Sequence, residues 1–261
     1  MWAAVMALPK EKYAVEAKIL EQKERMKNVY ELTLHCPTIP KICSPGQFVQ
    51  LGLPDGEVIL RRPLGIAKHG GETLTLFYRV TGHGTRLLSS HHTGDCLNIL
   101  GPLGHGFTKT AQHPLLIGGG MGLSPLLSWA KEFPGKADVL MGGKTAPELF
   151  WREDFKDCTK AIHITTDDGS LGTKGFTVAL LPRLLEAADY DAIISCGPEI
   201  MMRSVAAIAK GAGIPCQVSL ERRMGCGLGA CLSCSVDGTD GKRYKVCKDG
   251  PVFRAEDVFS L

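Results

Sequence analysis

The chain has 261 residues, of which 44% are hydrophobic and 22% charged, and its formal net charge at pH 7 is +3. At roughly 150 residues per domain this length predicts two compact domains, and the composition excludes a disordered chain. So small a surplus of positive charge also argues against nucleic acid or an anionic membrane as the partner.

The first eight residues are apolar, but no basic segment precedes them and they run directly into Pro9 and Lys10. This pattern does not fit a secretory signal peptide, and we interpret residues 1–8 as an extension outside the fold. No apolar run in the sequence approaches the roughly 20 residues that span a bilayer. We therefore expect a cytoplasmic protein, in a compartment where free and metal-bound thiolates persist.

Residues 12–110 carry short segments in which apolar and polar residues alternate, separated by glycine and proline. In the segment 72–80, the side chains of Leu74, Leu76, Tyr78 and Val80 fall on one face, as in a half-buried strand. Similar segments lie at 29–34, 48–53 and 96–100. The pattern predicts a small antiparallel β-barrel domain.

Residues 111–220 change to short apolar runs that alternate with helical patterns. The predicted strands are 115–117, 137–141, 161–166, 191–196 and 215–220. The predicted helices are 124–133, 147–155, 176–188 and 198–210. This alternation predicts an α/β domain built on a parallel sheet with right-handed crossovers.

Two segments of this half follow strands and carry the residues expected near a dinucleotide. They comprise Gly118, Gly119, Gly120 and Gly122, and Cys196, Gly197 and Pro198. Backbone N–H groups at such a turn can hold a pyrophosphate, and ligands of open α/β sheets bind at the carboxyl ends of strands. The glycine motif is incomplete, because Leu123 replaces the last glycine of GxGxxG. A tight turn without a ligand is the alternative.

In the barrel half, residues 61–64 (RRPL) end a predicted strand and residues 82–85 (GHGT) follow another. An arginine beside glycine amides can neutralise a second diphosphate, such as that of FAD. A solvated pair of arginines is the alternative.

Residues 221–261 form the third predicted module, which is rich in glycine and cysteine. The spacing Cys226-x4-Cys231-x2-Cys234-x12-Cys247 is that of plant-type [2Fe-2S] sites. Glycines at 225, 227 and 229 allow the chain to wrap closely around a small inorganic core. A four-cysteine zinc site is the alternative, although zinc ligands usually come as two C-x2-C pairs. We expect five other cysteines to be small, buried apolar residues: Cys36, Cys43, Cys96, Cys158 and Cys216.

Together these motifs resemble the ferredoxin reductase superfamily, in which a flavin-binding barrel precedes a nicotinamide-binding α/β domain. The tail, with ERRMGCGLGACLSC at 221–234 and VCKDGPVF at 246–253, resembles the electron transfer subunits of type B dihydroorotate dehydrogenases. Shorter segments at 101–107, 167–170 and 196–201 also match that family.

The resemblance implies a subunit that holds FAD and one [2Fe-2S] cluster. It would pass electrons from the FMN of a separate catalytic subunit to NAD+ during pyrimidine synthesis, in a two-plus-two heterotetramer. It implies that FAD is bound by Arg62, Pro63, Leu64, Gly65, Phe77, Tyr78, Arg79, Gly84 and Thr85, and that the four tail cysteines hold the cluster. Relatives usually have Ser or Thr at the position of Gly65. Only backbone groups at that position could therefore hydrogen-bond flavin N5.

Several functional alternatives stay open at this stage. The chain could serve another oxidoreductase, such as a sulfide dehydrogenase or a ferredoxin:pyridine nucleotide reductase, or it could be a regulatory module that senses redox state. For the nucleotide, Asp167 and Asp168 would repel a 2′-phosphate, whereas Lys144 or Lys174 would attract one. NAD is the expected acceptor.

Overall fold

The computed structural model describes residues 11–53 and 58–261. The segment 1–8, which we interpret as an extension, lies outside the described residues. Two units make up the chain. The barrel unit holds the described residues up to Thr108 together with Glu221–Ser235 and Tyr244–Val252, and the sheet unit holds Lys109–Leu220, Val236–Arg243 and Phe253–Leu261.

The barrel unit contains a closed antiparallel barrel with strand order β1-β2-β5-β4-β3-β6. Its strands are β1 (Tyr13–Met26), β2 (Val29–His35), β3 (Phe48–Gly52), β4 (Arg62–Gly70), β5 (Thr73–Arg79) and β6 (Cys96–Leu103). A 3-10 turn covers Ile39–Lys41 and helix α1 covers His83–Ser89. The barrel interior is filled by aliphatic side chains such as Leu32, Val49 and Leu76. The predicted antiparallel barrel is thus confirmed.

Two barrel strands differ from the sequence expectation. The sequence does not predict β1, because its many Glu and Lys residues are typical of a helix, and Ala17 and Ile19 are its only fully buried side chains. The expectation that residues 61–64 end a strand is wrong, since Arg62 begins β4. Pro63 is tolerated there because proline is compatible with the first residues of a strand.

The sheet unit is built on a seven-stranded sheet with order β10-β9-β8-β7-β11-β12-β15. The strands are β7 (Pro114–Gly119), β8 (Asp138–Gly143), β9 (Ala161–Thr166), β10 (Thr173–Lys174), β11 (Ala192–Cys196), β12 (Cys216–Ser219) and β15 (Val252–Arg254). Strands β7 to β12 of this sheet pair in parallel, which confirms the predicted architecture. The two remaining strands, β13 (Ser235–Asp237) and β14 (Arg243–Lys245), pair with each other.

The helices are α2 (Leu123–Glu132), α3 (Arg152–Phe155), α4 (Thr177–Ala187), α5 (Glu199–Gly211) and α6 (Ala255–Val258). The continuous helix expected over 147–155 is not formed: a 3-10 turn over Ala146–Leu149 precedes the single turn of α3. The buried Trp151 lies between the two turns. None of the helices in the described part of the chain is long and apolar enough to cross a membrane.

The residues of the tail are divided between the barrel unit and the sheet unit. All four cysteines of the predicted cluster belong to the barrel unit. The domain limits at 12–110, 111–220 and 221–261 stay predictions.

Candidate functional site

The cluster loop, residues 225–234, surrounds the sulfur of Cys226 with backbone N–H groups. Cys226 Sγ accepts hydrogen bonds from the N–H groups of Leu228 and Ala230, each at 3.3 Å, and of Cys231 at 3.4 Å. Such donors stabilise negative charge on sulfur. The loop is therefore built to hold a thiolate at this position.

The other three sulfurs are tied into the same network. The N–H of Cys226 donates to Cys231 Sγ at 3.4 Å, that of Gly229 to Cys247 Sγ at 3.1 Å, and that of Cys247 to Cys234 Sγ at 3.4 Å. Four thiols with this spacing, linked by backbone donors to sulfur, fit the ligand set of an iron–sulfur cluster.

The backbone of the loop explains its glycines. Gly227 and Gly229 have φ of +71° and +83°, a region that residues with a Cβ rarely adopt. A Cβ at Gly229 would also lie 2.8 Å from Lys248 Cδ. Leu232 adopts a φ of +62°, which is unusual for a residue other than glycine. A side chain at either glycine would push the loop out of its sulfur-binding shape.

Charge stabilisation in the loop is uneven. The pKa of Cys231 is lowered to about 6, first by the hydroxyl and then by the backbone N–H of Ser233. Burial raises the pKa of Cys226, but the N–H groups of its loop outweigh this effect and the net pKa is lowered. Burial and a contact with Cys234 raise the pKa of Cys247 to about 12. In the absence of metal, the thiolate form is therefore favoured at Cys226 and Cys231, the more exposed cysteines, over the buried Cys247.

The predicted FAD residues Arg62, Gly84 and Thr85 lie together in the barrel unit. A Cβ on Gly84 would overlap the guanidinium of Arg62, so the arginine lies directly against the glycine backbone. The hydroxyl of Thr85 accepts the N–H groups of Thr81 at 2.9 Å and Gly82 at 3.2 Å, which fixes the turn. An arginine held against a glycine turn fits an anionic diphosphate.

The remaining FAD candidates lie where two strands separate. The pairing of β4 with β5 begins at Ile66 and Leu76. The predicted flavin segments, which contain Pro63, Leu64 and Gly65 on β4 and Phe77, Tyr78 and Arg79 on β5, lie beyond the paired part. Backbone groups at such an opening can meet a ligand.

Two of these side chains are already engaged within the barrel. Tyr78 stacks on Tyr30 with ring centroids 5.4 Å apart, and its hydroxyl donates to Gln22 Oε1 at 3.0 Å; burial raises its pKa. Phe77 is buried, with Arg25 at 5.7 Å and Lys68 at 5.5 Å from its ring centroid. The assignment of these residues to FAD stays a prediction.

In the sheet unit, the two predicted nucleotide segments meet. Strands β7 and β11 are neighbours, with Gly118 opposite Cys196. A Cβ at Gly119 would lie 3.4 Å from Pro198 Cδ, and a Cβ at Gly122 would overlap the carbonyl oxygen of Cys196. Gly120 and Gly197 have positive φ. The predicted residues thus share one carboxyl edge of the sheet, and their role in binding NAD stays a prediction.

We expect Gly122→Ala to destabilise the sheet unit and to raise the KM for NADH. The new methyl group would push the glycine turn away from the Cys196 carbonyl, at a cost of about 1–3 kcal/mol. Urea unfolding and steady-state NADH-dependent dye reduction measure the two effects. Gly211→Ala is the control, because a Cβ there meets nothing within 4 Å; equal effects of both substitutions would contradict the prediction.

Gln50 is a buried residue that is absent from the predicted site residues. Its side chain is 0% exposed, and neither amide atom has a hydrogen-bond partner among the described residues. The sequence feature that could have identified it is the position of this amide between Val49 and Leu51 in an apolar strand, because burial of a polar group without a partner is costly.

Three comparisons place these observations among known proteins. A family model described as the iron-sulfur cluster binding domain of dihydroorotate dehydrogenase B matches residues 221–259. A protein of Listeria monocytogenes serotype 4b (strain F2365), named dihydroorotate dehydrogenase B (NAD(+)), electron transfer subunit, is 39% identical over 254 residues, covering 93% of this chain and 98% of that protein. The protein of the same name from Caldanaerobacter subterraneus subsp. tengcongensis is 35% identical over 252 residues, covering 95% and 99%.

Solved structures give the same picture of the fold. The structure of an NADH-dependent reduced ferredoxin-NADP oxidoreductase matches with a TM-score of 0.84 and 30% identity, covering 93% of this chain and 89% of that one. A ferredoxin NADP+ reductase from Neisseria gonorrhoeae with bound FAD and NADP matches with a TM-score of 0.63 and 16% identity, covering 77% and 92%.

Proposed function

This chain belongs to the family of electron transfer subunits of NAD(+)-dependent dihydroorotate dehydrogenase B, and from this membership we propose the function of its sites. It is an oxidoreductase subunit that takes electrons from the FMN of a dihydroorotate-oxidising catalytic subunit. The electrons pass through a [2Fe-2S] cluster and FAD to NAD+, and the reaction serves pyrimidine synthesis. The observation that carries the proposal is the network of backbone N–H groups around the four cysteine sulfurs.

A bound flavin would convert between the one-electron chemistry of a cluster and the hydride chemistry of nicotinamide. The residues of the chain prepare the sites for these groups. Arg62, held against Gly84, neutralises the diphosphate of FAD, and the separated ends of β4 and β5 receive the flavin ring. Cys226, Cys231, Cys234 and Cys247 are the ligands of the iron atoms.

The acceptor site is assigned to the sheet unit. The glycine turn after β7 and the Cys196–Pro198 turn after β11 place backbone N–H groups at one edge of the sheet, where dinucleotides bind in open α/β folds. Asp168 follows β9, and hydrogen bonds from the hydroxyl and N–H of Ser170 lower its pKa. Its carboxylate would repel a 2′-phosphate, which favours NAD over NADP.

The partner is assigned to the exposed side of the cluster loop. Leu228 and Leu232 are 44% and 59% exposed beside the cysteines, and apolar side chains of this kind are suited to an interface that excludes water. We place the catalytic subunit there, in a two-plus-two heterotetramer. The reducing cytoplasm is the proposed location, because the thiolate ligands persist in it.

Co-expression with candidate FMN proteins from the same genome tests this function. We expect dihydroorotate-dependent NADH formation only when the chain and its catalytic subunit are both present, and NADH-dependent dye reduction by the chain alone. Dihydroorotate oxidation by the chain alone would contradict the proposal.

The similarity to an NADH-dependent reduced ferredoxin-NADP oxidoreductase supports a second candidate, a subunit of a ferredoxin:pyridine nucleotide reductase. Co-purification with a flavoprotein that carries further iron–sulfur clusters, and reduction of ferredoxin in place of dihydroorotate oxidation, would favour it.

A further inference from the structure

The side chain of Gln50 points out of the barrel, towards the cluster loop. Its neighbours on β3, Val49 and Leu51, belong to the barrel core, and successive side chains of a strand point to opposite faces. On the outer face, Gly227 of the cluster loop lies against Gln50: a Cβ at Gly227 would be 2.7 Å from Gln50 Cγ and 2.9 Å from Nε2. The loop therefore covers the amide.

The amide of Gln50 is the kind of group that proteins seldom leave unpaired. Both its nitrogen and its oxygen are buried without a hydrogen-bond partner among the described residues. Gln47, three residues earlier, shows the usual arrangement: its Nε2 donates to the carbonyl of Gly104 and its Oε1 accepts the N–H of Ser44, both at 2.7 Å. A buried amide without such partners is costly, which points to a partner that is not part of the polypeptide.

The cluster loop itself shows where a donor is missing. From Cys226 to Cys231, five of the six backbone N–H groups donate to cysteine sulfurs. In this described stretch the exception is Gly227, and Gly227 is the residue that lies on Gln50. The side-chain amide thus lies at the point where the backbone supplies no hydrogen bond to sulfur.

The flavin segment is a less suitable partner for this amide. Gln50 is paired in register with Pro63, but residues 62–65 are partly exposed, as a surface that receives a ligand should be. Gln50 is closed off from that surface. The group that covers the Gln50 side chain is instead Gly227 of the cluster loop.

We propose that Gln50 belongs to the cluster site, where its Nε2–H donates a hydrogen bond to a sulfur of the bound iron–sulfur cluster. This inference rests on the proposed function, in which the four cysteines hold that cluster. Hydrogen bonds to cluster sulfurs stabilise the more negatively charged, reduced form and so raise the reduction potential. Gln50 is then a positioning and tuning residue for electron transfer through the loop.

Gln50→Met keeps the unbranched shape of the side chain and removes the donor. In the complex with the catalytic subunit, an EPR-monitored redox titration should show the cluster harder to reduce. We expect its equilibrium with a one-electron reference dye to move about tenfold towards the oxidised cluster, equivalent to about 59 mV. The iron content and the flavin potentials should stay unchanged.

Gln47→Met is the matched control, since it removes a buried amide whose partners are protein groups. This substitution should lower the free energy of unfolding and leave the reduction potential of the cluster unchanged. An unaltered cluster potential in Gln50→Met, or a shift of a flavin potential alone, would overturn the inference. Absence of iron from the unmodified complex would instead refute the proposed function, so the two failures are distinguishable.

A measurement on the unmodified chain keeps the inference testable if Gln50→Met does not fold. With glutamine labelled by ¹⁵N in its side chain, pulsed EPR of the reduced complex should detect a coupling between one amide nitrogen and the cluster. The same signal should persist in Gln47→Met. No coupled side-chain nitrogen would overturn the inference.

Discussion

Replacing Cys226 with serine is expected to reduce dihydroorotate-dependent NADH formation to the background rate and to leave NADH-dependent dye reduction largely intact. The first reaction needs electrons to cross the cluster, whereas the second needs only FAD and the nucleotide site. Cys226 is the cysteine whose sulfur accepts hydrogen bonds from Leu228, Ala230 and Cys231, and a serine oxygen is a poor ligand for this iron site.

Iron content, the visible spectrum and the two activities together check this expectation. Cys96→Ser is the control: the expectation that Cys96 is buried is wrong, since it is exposed on β6, outside the cluster loop. Full iron content and full dihydroorotate-dependent activity in Cys226→Ser would exclude the assignment of this thiol as a ligand.

Arg62→Met should release FAD. The guanidinium of Arg62 is the cation that lies against Gly84, and a hydrogen bond between charged groups contributes about 1.5–3 kcal/mol. The dissociation constant for FAD should therefore rise about ten- to a hundredfold, and the flavin content of the purified chain should fall while its iron content stays unchanged.

Fluorescence titration with FAD measures this change. Arg86→Met provides the control, since Arg86 is an exposed arginine on α1, the helix that carries Gly84. If Arg62→Met retained FAD as the unmodified chain does, the diphosphate would have to be held elsewhere in the barrel unit.

The sequence predicted best the features that depend on short-range patterns. The apolar run at 115–117 lies within β7, which is buried along its whole length, because a strand covered on both faces of a parallel sheet is apolar almost throughout. The cysteine spacing was equally informative, since ligands that share one small metal core must be close in sequence. The hydrogen-bond donors to the sulfurs could not be predicted in this way. They are backbone N–H groups, which almost every residue type has.

Other features depend on contacts between distant residues. The charged strand β1 is held by its pairing with β2 and β6, and its own composition favours a helix. The start of β4 at Arg62 is set by its pairing with Leu51. Gln50 illustrates the same limit: a single amide in an apolar strand says nothing about the loop, some 177 positions further along the sequence, that covers it.

The division of the tail has a consequence for how the gene can be cut. After Leu220 the polypeptide alternates between the units. The segments Glu221–Ser235 and Tyr244–Val252 belong to the barrel unit, and the segments Val236–Arg243 and Phe253–Leu261 belong to the sheet unit. A stop codon placed after Leu220 would strip the barrel unit of its metal ligands and at the same time take β15 from the edge of the sheet. Neither unit is encoded by one continuous stretch of the gene. A recombination event that exchanges one unit would therefore have to exchange the other unit with it.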